Sequence, residues 1–300
     1  GTVTSRTPIN GLPTETVVFA NGVRMLVFSS PEEAGRVFVK VRWGGGYNAL
    51  PADRKSPAWA ADLALMEGGV GKLGQDDIDQ LTAGRQLGLD FGMDDDAFSM
   101  AALTSPQDYA DQLTLMATKL AYPRWDAAPI ARAKAAASSA IRGYGSSADG
   151  VLSRDLEGLL HAGDPRWATP DQKAIDALTP DSFRALWAPL LATGPIEVDV
   201  FGDVKVDEAI AAVAKSFGAL PPRAATPETA TDAEECACVD RRETHRARAR
   251  FRHHQYGRRD RGRPRRIGNG RFRRRRGDRG GVPVGAVLLG RRCRLERHRA

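Results

Sequence analysis

The chain has 300 residues, with 44 Lys and Arg against 37 Asp and Glu, and a formal net charge of +7. That sum hides two opposite numbers: the residues from Val239 onward, rich in arginine and without lysine, carry roughly +18, and the preceding body roughly −11. Composition therefore excludes a phosphate-seeking body. No apolar run approaches the roughly 20 residues of a membrane span, and the body contains no cysteine with which to build a disulfide framework.

The three cysteines, Cys236, Cys238 and Cys293, lie outside the body, as do four of the five histidines. The close pair reads C-x-C, not the C-x-x-C of a zinc knuckle, and the histidines lack ligand spacing, so no metal site is expected there. The chain begins at Gly1 with neither an initiator Met nor a signal-peptide pattern and reads as a fragment. Core-forming composition stops near Arg223. The expected organisation is a lead-in over residues 1–12, one α/β unit over 13–223, and a disordered Arg-rich tail over 224–300.

In chain order, Thr16–Ala20 and Val23–Ser29 are β-branched runs joined at Asn21-Gly22, a dipeptide that supplies the positive φ angles of a two-residue hairpin turn. Val37, Val39 and Val41 alternate with Phe38, Lys40 and Arg42 in a third strand that runs into Gly44-Gly45-Gly46. From Pro57 the period becomes helical, with Gly68-Gly69 expected as the C-cap. Residues 75–86 form a second helix with an acidic first turn. Strands over 89–94 and 97–105 follow, joined through Asp94, Asp95 and Asp96. Ser105 is the expected N-cap of a helix to Lys119, and an Ala-rich helix runs over about 127–142. VLSRDLEGLLHAG is an amphipathic helix, and two short helices are each opened by Thr-Pro-Asp. Residues 196–204 form a strand and Val206–Phe217 a last helix. Tight hairpins dominate the strand connections, which predicts an α+β fold with helices covering one face of a mostly antiparallel sheet.

With these elements in place, the sequence resembles the insulinase/pitrilysin family of zinc metallopeptidases, of the processing-peptidase type. The likeness covers roughly Leu12 to Arg223 and rests on the order of its motifs: the NG hairpin, the V-x-V-x-x-GG strand, a helix ending in a Gly pair, an L-T-x-x-x-x-x-x-L-W helix, and a V-x-GDV strand closing on FGxLPxR. It implies one unit of a protein built from repeats of that unit, two to each half of a clamshell. In the family's catalytic unit, H-x-x-E-H on the helix after the third strand binds zinc and activates water, and a later Glu completes the metal shell. Here the matching positions fall at Ala60, Leu63 and Ala64, or, shifted by one residue, at Ala61, Ala64 and Leu65. None of these can ligate zinc or move a proton, so no catalytic, cofactor-binding or metal residue is expected in this chain.

Five other features carry plainer readings. Glu67 is a solvated helix-end carboxylate, and His161 lies near a helix C-terminus, where imidazoles interact with free carbonyls. Asp94 to Asp96 lack the alternating ligands of a calcium loop and read as a polar strand turn. Gly44 to Gly46 open no helix with the spacing of a phosphate loop, and Tyr47 reads as a packing aromatic.

The resemblance implies a non-catalytic half-unit that helps enclose a peptide substrate, with the zinc-bearing half in the same polypeptide or on a partner subunit, and no membrane partner. A standalone binding or assembly subunit is the alternative. The tail has two readings as well. Arginines interleaved with Phe251, Tyr256 and Phe272 suit non-specific nucleic-acid binding. An Ala-rich body followed by a lysine-free, arginine-rich stretch is also what a GC-rich gene yields when read out of frame, and that reading is favoured.

Overall fold

The computed structural model describes residues 1–52 and 57–225. The expected tail and its cysteines lie outside the described residues, apart from Ala224 and Ala225.

Seven strands form one sheet: β1 (Val3–Pro8), β2 (Thr14–Phe19), β3 (Arg24–Ser29), β4 (Val37–Trp43), β5 (Asp90–Met93), β6 (Phe98–Thr104) and β7 (Ile196–Gly202). Their spatial order is β1-β2-β3-β7-β4-β6-β5, and every pair is antiparallel except β3 with β7. The last strand in sequence therefore sits between two early ones. The helices are α1 (Ala61–Met66), α2 (Gln75–Thr82), α3 (Tyr109–Ala121), α4 (Ala127–Tyr144), α5 (Ala148–Leu160), α6 (Gln172–Ala177), α7 (Pro180–Ala192) and α8 (Val206–Lys215). This is the α+β arrangement expected from the hairpin pattern.

Alternation along the strands separates the two faces of the sheet. Val17, Met25, Val198, Val41 and Met100 align across five strands and are buried. At their end Trp43, Phe98, Phe183 and Trp187 pack with centroids 5.1–6.1 Å apart. Each such side chain contributes about 1.5–3 kcal/mol by leaving water. The opposite face carries Phe28, Phe201 and Phe38 in one cross-strand row, with adjacent centroids 5.1 and 5.6 Å apart.

Several expectations shift. Residues 1–12, expected as a lead-in, contain β1, an edge strand exposed along its whole length. It is held by backbone pairing to β2 and by Arg6, which bonds Glu15 and reaches Asp207 at 2.6 Å. The hairpin turn is wider than two residues: pairing closes where the Phe19 N–H donates to the Val23 carbonyl, and of Asn21 and Gly22 only the glycine has positive φ, at 87°. Asn21 instead donates to the carbonyls of Phe217 and Leu220, both at 2.9 Å, stitching the hairpin to the end of the unit. At the other boundary, expected at 223, Ala224 bridges to Thr193 and its carbonyl accepts from Gly194 N at 2.8 Å, so the unit extends at least this far.

Helix α5 reverses the usual arrangement. Its amphipathic pattern is present as expected, yet none of its residues is buried, and Leu152, Leu159 and Leu160 are 53%, 75% and 67% exposed.

Candidate functional site

Among the expected site positions, those on α1 and the 3-10 turn over Pro57–Ala60 before it decide most. Ala60, Ala61, Ala64 and Leu65 are all buried in the hydrophobic core, and Leu63 packs against it. A helix that presents a zinc site needs imidazole and carboxylate heads on an accessible face. Either alignment here places methyl and isobutyl groups there, and these side chains offer no donor atom, so the residues do not fit zinc. Glu67 is the C-cap residue of α1 and pairs with Arg132 at 2.6 Å while remaining half-exposed, and Asp62, in the first turn of α1, is exposed. Among the described residues no group of three or more His, Cys, Asp or Glu comes together as a metal ion would require.

The end of α1 differs from expectation. Gly68 and Gly69 have no positive φ and do not form a left-handed cap. They are needed for close approach: a Cβ at Gly69 would lie 2.2 Å from the Leu73 carbonyl oxygen, and one at Gly68 2.9 Å from that of Ala64. The exposed-carbonyl problem at a helix end is solved by Lys119 of α3, which is 4% exposed. Its Nζ donates to the carbonyls of Met66 at 2.6 Å, Leu65 at 3.5 Å and Gly68, and to Gln75 Oε1 at 3.4 Å. Burial pushes its pKa down to about 8, with Asp79, Asp126 and Glu67 pulling it upward. Nothing in the sequence around Lys119 marks it, because its partners, three backbone carbonyls and the Gln75 side chain, are all at least 44 positions away.

A second cluster lies at the end of β4. Gly46, at φ 57°, lets the chain pass so closely over the β5–β6 turn that a Cβ there would lie 2.0 Å from the Asp94 carbonyl oxygen. Tyr47 N and Asn48 N then donate to the carbonyls of Asp94 and Asp95, both at 3.0 Å. Asp94 to Asp96 form the expected polar turn: Asp94 N donates to Ala97 O, Asp95 accepts from Trp167 Nε1 at 3.2 Å, and Asp96 pairs with Arg42. The Tyr47 ring packs on Trp167, centroids 5.1 Å apart, and burial raises its phenol pKa, with Glu157 and Asp95 adding to the effect. His161 is the C-cap residue of α5, but its ring is stacked on Trp167 at 4.0 Å, and the helix-end contacts come from its backbone N–H. Its position is thus the expected one, while its ring partner is an indole.

No model of a protein family and no curated protein matches this sequence. Solved structures do. The ferredoxin protease FusC, solved in complex with Arabidopsis ferredoxin, superposes with a TM-score of 0.62 at 15% identity, over 75% of this chain and 25% of its own. The periplasmic protease PqqL from Escherichia coli gives 0.61 at 14% identity, over 74% and 25%. A peptidase M16 inactive domain from Pseudomonas fluorescens gives 0.56 at 22% identity, over 71% and 52%. The chain has the fold of M16-type peptidase units. It spans about a quarter of the length of the two proteases and about half that of the inactive domain.

Proposed function

We propose that this chain is a non-catalytic unit of an insulinase/pitrilysin-type (M16) zinc metallopeptidase, and that in the intact enzyme it forms part of the wall of the chamber enclosing a peptide. The zinc-bearing half comes from the same polypeptide or from a partner subunit. One observation carries the reading: in a fold shared with these peptidases, the helix that should present ligands and base carries Ala60, Leu63 and Ala64, and the alanines are sealed in the core. The neighbour of highest identity among the three is itself described as an inactive domain.

A wall unit contributes shape and backbone. The free edges of the sheet belong to β1 and β5, and an extended peptide can add to such an edge by main-chain hydrogen bonds. The arginine-rich residues after 235 are, in this reading, translated out of frame and play no part.

The test has two arms. Elemental analysis and a fluorogenic-peptide assay of the purified chain should find neither stoichiometric zinc nor chelator-sensitive cleavage. A search of the surrounding DNA should find H-x-x-E-H in the same frame upstream or in an adjacent gene. One tightly held zinc per chain with cleavage overturns the proposal, and a locus without any such motif moves the standalone-subunit reading ahead of it.

A further inference from the structure

Beside the C-terminus of α3, on the flank of α7, lies a groove of about 410 Å³ whose lining carries two cations and no carboxylate. Tyr122 and Trp125 form one wall and Pro221 and Pro222 another, with Arg184 and Arg223 at the polar positions. The walls are fixed from behind. Trp125 packs edge-on against Phe183 with centroids 6.1 Å apart, and the Leu220 carbonyl receives Asn21. Tyr122 is 63% exposed although it lies next to the core.

The charges are unbalanced. Arg223 spends its Nε on the Gly194 carbonyl at 2.9 Å and Nη2 on that of Thr193 at 2.5 Å. A guanidinium has five N–H donors, and no acidic side chain among the described residues pairs with this one. Burial in that setting pulls its pKa down to about 10. Arg184, exposed on α7, likewise makes no ion pair among the described residues, in a body whose other arginines commonly pair with Asp or Glu. One partly desolvated cation, Arg223, and one exposed cation, Arg184, at the mouth of an aromatic and proline-lined groove are complementary to a carboxylate next to a flat apolar group, and bidentate pairing with a carboxylate is what a guanidinium does best.

We infer that this groove binds a peptide segment in which an acidic side chain stands beside an aromatic or proline residue, the carboxylate held by Arg184 and Arg223 and the ring laid on Tyr122 and Trp125. That the ligand is a peptide rests on the chamber reading above; that it is an anion with a flat apolar neighbour rests on the groove alone.

The arginine-rich residues after 239 would hold any acidic peptide, so the readout must be local. A short amidated peptide of one glutamate beside a benzoyl-phenylalanine is photo-crosslinked to the full chain and the adducts are mapped by mass spectrometry. Adducts are expected on residues 120–125 and 220–223. They should fall at least fivefold with Arg184→Glu, with Tyr122→Ala, and when glutamine replaces the peptide's glutamate. Both variants change exposed side chains, and an unchanged melting curve confirms that the fold is kept. Adducts confined to residues after 225, or labelling indifferent to the peptide's charge, overturn the inference. So does full competition by equimolar phenylacetate, which would make the ligand a small acid. A rise in labelling when Glu228, Glu234 and Glu235 are all changed to glutamine would show that the chain's own acidic segment is the occupant, and overturns it too. Zinc content and cleavage enter none of these arms, so failure here leaves the proposed function standing, and the reverse also holds.

Discussion

Lys119 shows how much of this unit depends on single polar atoms in apolar surroundings. Replacing it with methionine keeps the volume but leaves the end of α1 without its donor. Hydrogen bonds to a charged group contribute about 1.5–3 kcal/mol, and orphaned carbonyls add to the loss, so Lys119→Met should destabilise by about 3 kcal/mol in urea titrations. The pH dependence has a definite sign. The buried ammonium releases its proton near pH 8, whereas the unfolded chain holds it to about 10.5, so the unfolded state binds more protons between those values. Stability from this group is therefore full above pH 10.5 and lost as pH falls through 8. The advantage of the wild type over Lys119→Met should grow between pH 8 and 10, and a shrinking advantage would contradict the burial argument. Gly46 is the backbone counterpart. Alanine there meets the Asp94 carbonyl at 2.0 Å and a positive φ together, and Gly46→Ala should cost about 3 kcal/mol or more by the same measurement.

Among the elements, those with a buried face were legible in the sequence and those without one were not. The alternation of Val37, Val39 and Val41 and the β-branched runs of β2 and β3 reported their own burial. Strand β1 was silent because no residue of it is buried, and period-2 alternation exists only where one side of a strand faces a core. The expectation that residues 60–65 hold no metal rests on side-chain chemistry alone, whereas Lys119 and Arg223 act through partners distant in sequence, and Arg184 stands out only by the groove it borders. Helix α5 is a third case: its period was correct, but the period does not say which side faces inward. Single exposed leucines are ordinary, but Leu152, Leu156, Leu159 and Leu160 on one short helix make a continuous apolar strip. Changing Leu159 and Leu160 to lysine should leave the melting temperature within about 2 °C, since surface substitutions usually shift stability by less than 0.5 kcal/mol, and should lower self-association in sedimentation velocity. A large fall in melting temperature would mean that these side chains pack against the body after all.

For the whole molecule, the opposite charges of body and tail separate two behaviours. Residues 226–300 are arginine-rich and lack a core-forming pattern. Ending the chain after Ala225, which keeps the Ala224 bridge to Thr193, should leave the melting temperature of the unit unchanged within about 2 °C. The same cut should abolish binding to RNA or DNA, because an acidic body repels phosphate. In the full chain such binding should be indifferent to base sequence and fall steeply with salt, through counterion release. Sequence-selective binding that survives high salt, or a body that unfolds once cut, would show that the two parts act together.

The placement of β7 between β3 and β4 has a bearing on synthesis. As the ribosome releases the chain, β2–β3 and β4–β6–β5 emerge as two separate partial sheets, and the strand that joins them is delivered last, some 170 residues after β3. Closure of such a distant contact is slow and comes late. A nascent chain arrested before Ile196 should therefore show no cooperative unfolding and should be digested readily by protease, whereas one released after Ala225 should resist it. Translation is thus divided into a vulnerable stretch and a safe one, and a slip of the reading frame downstream of Arg223 would fall in the safe stretch, after the sheet has all its strands.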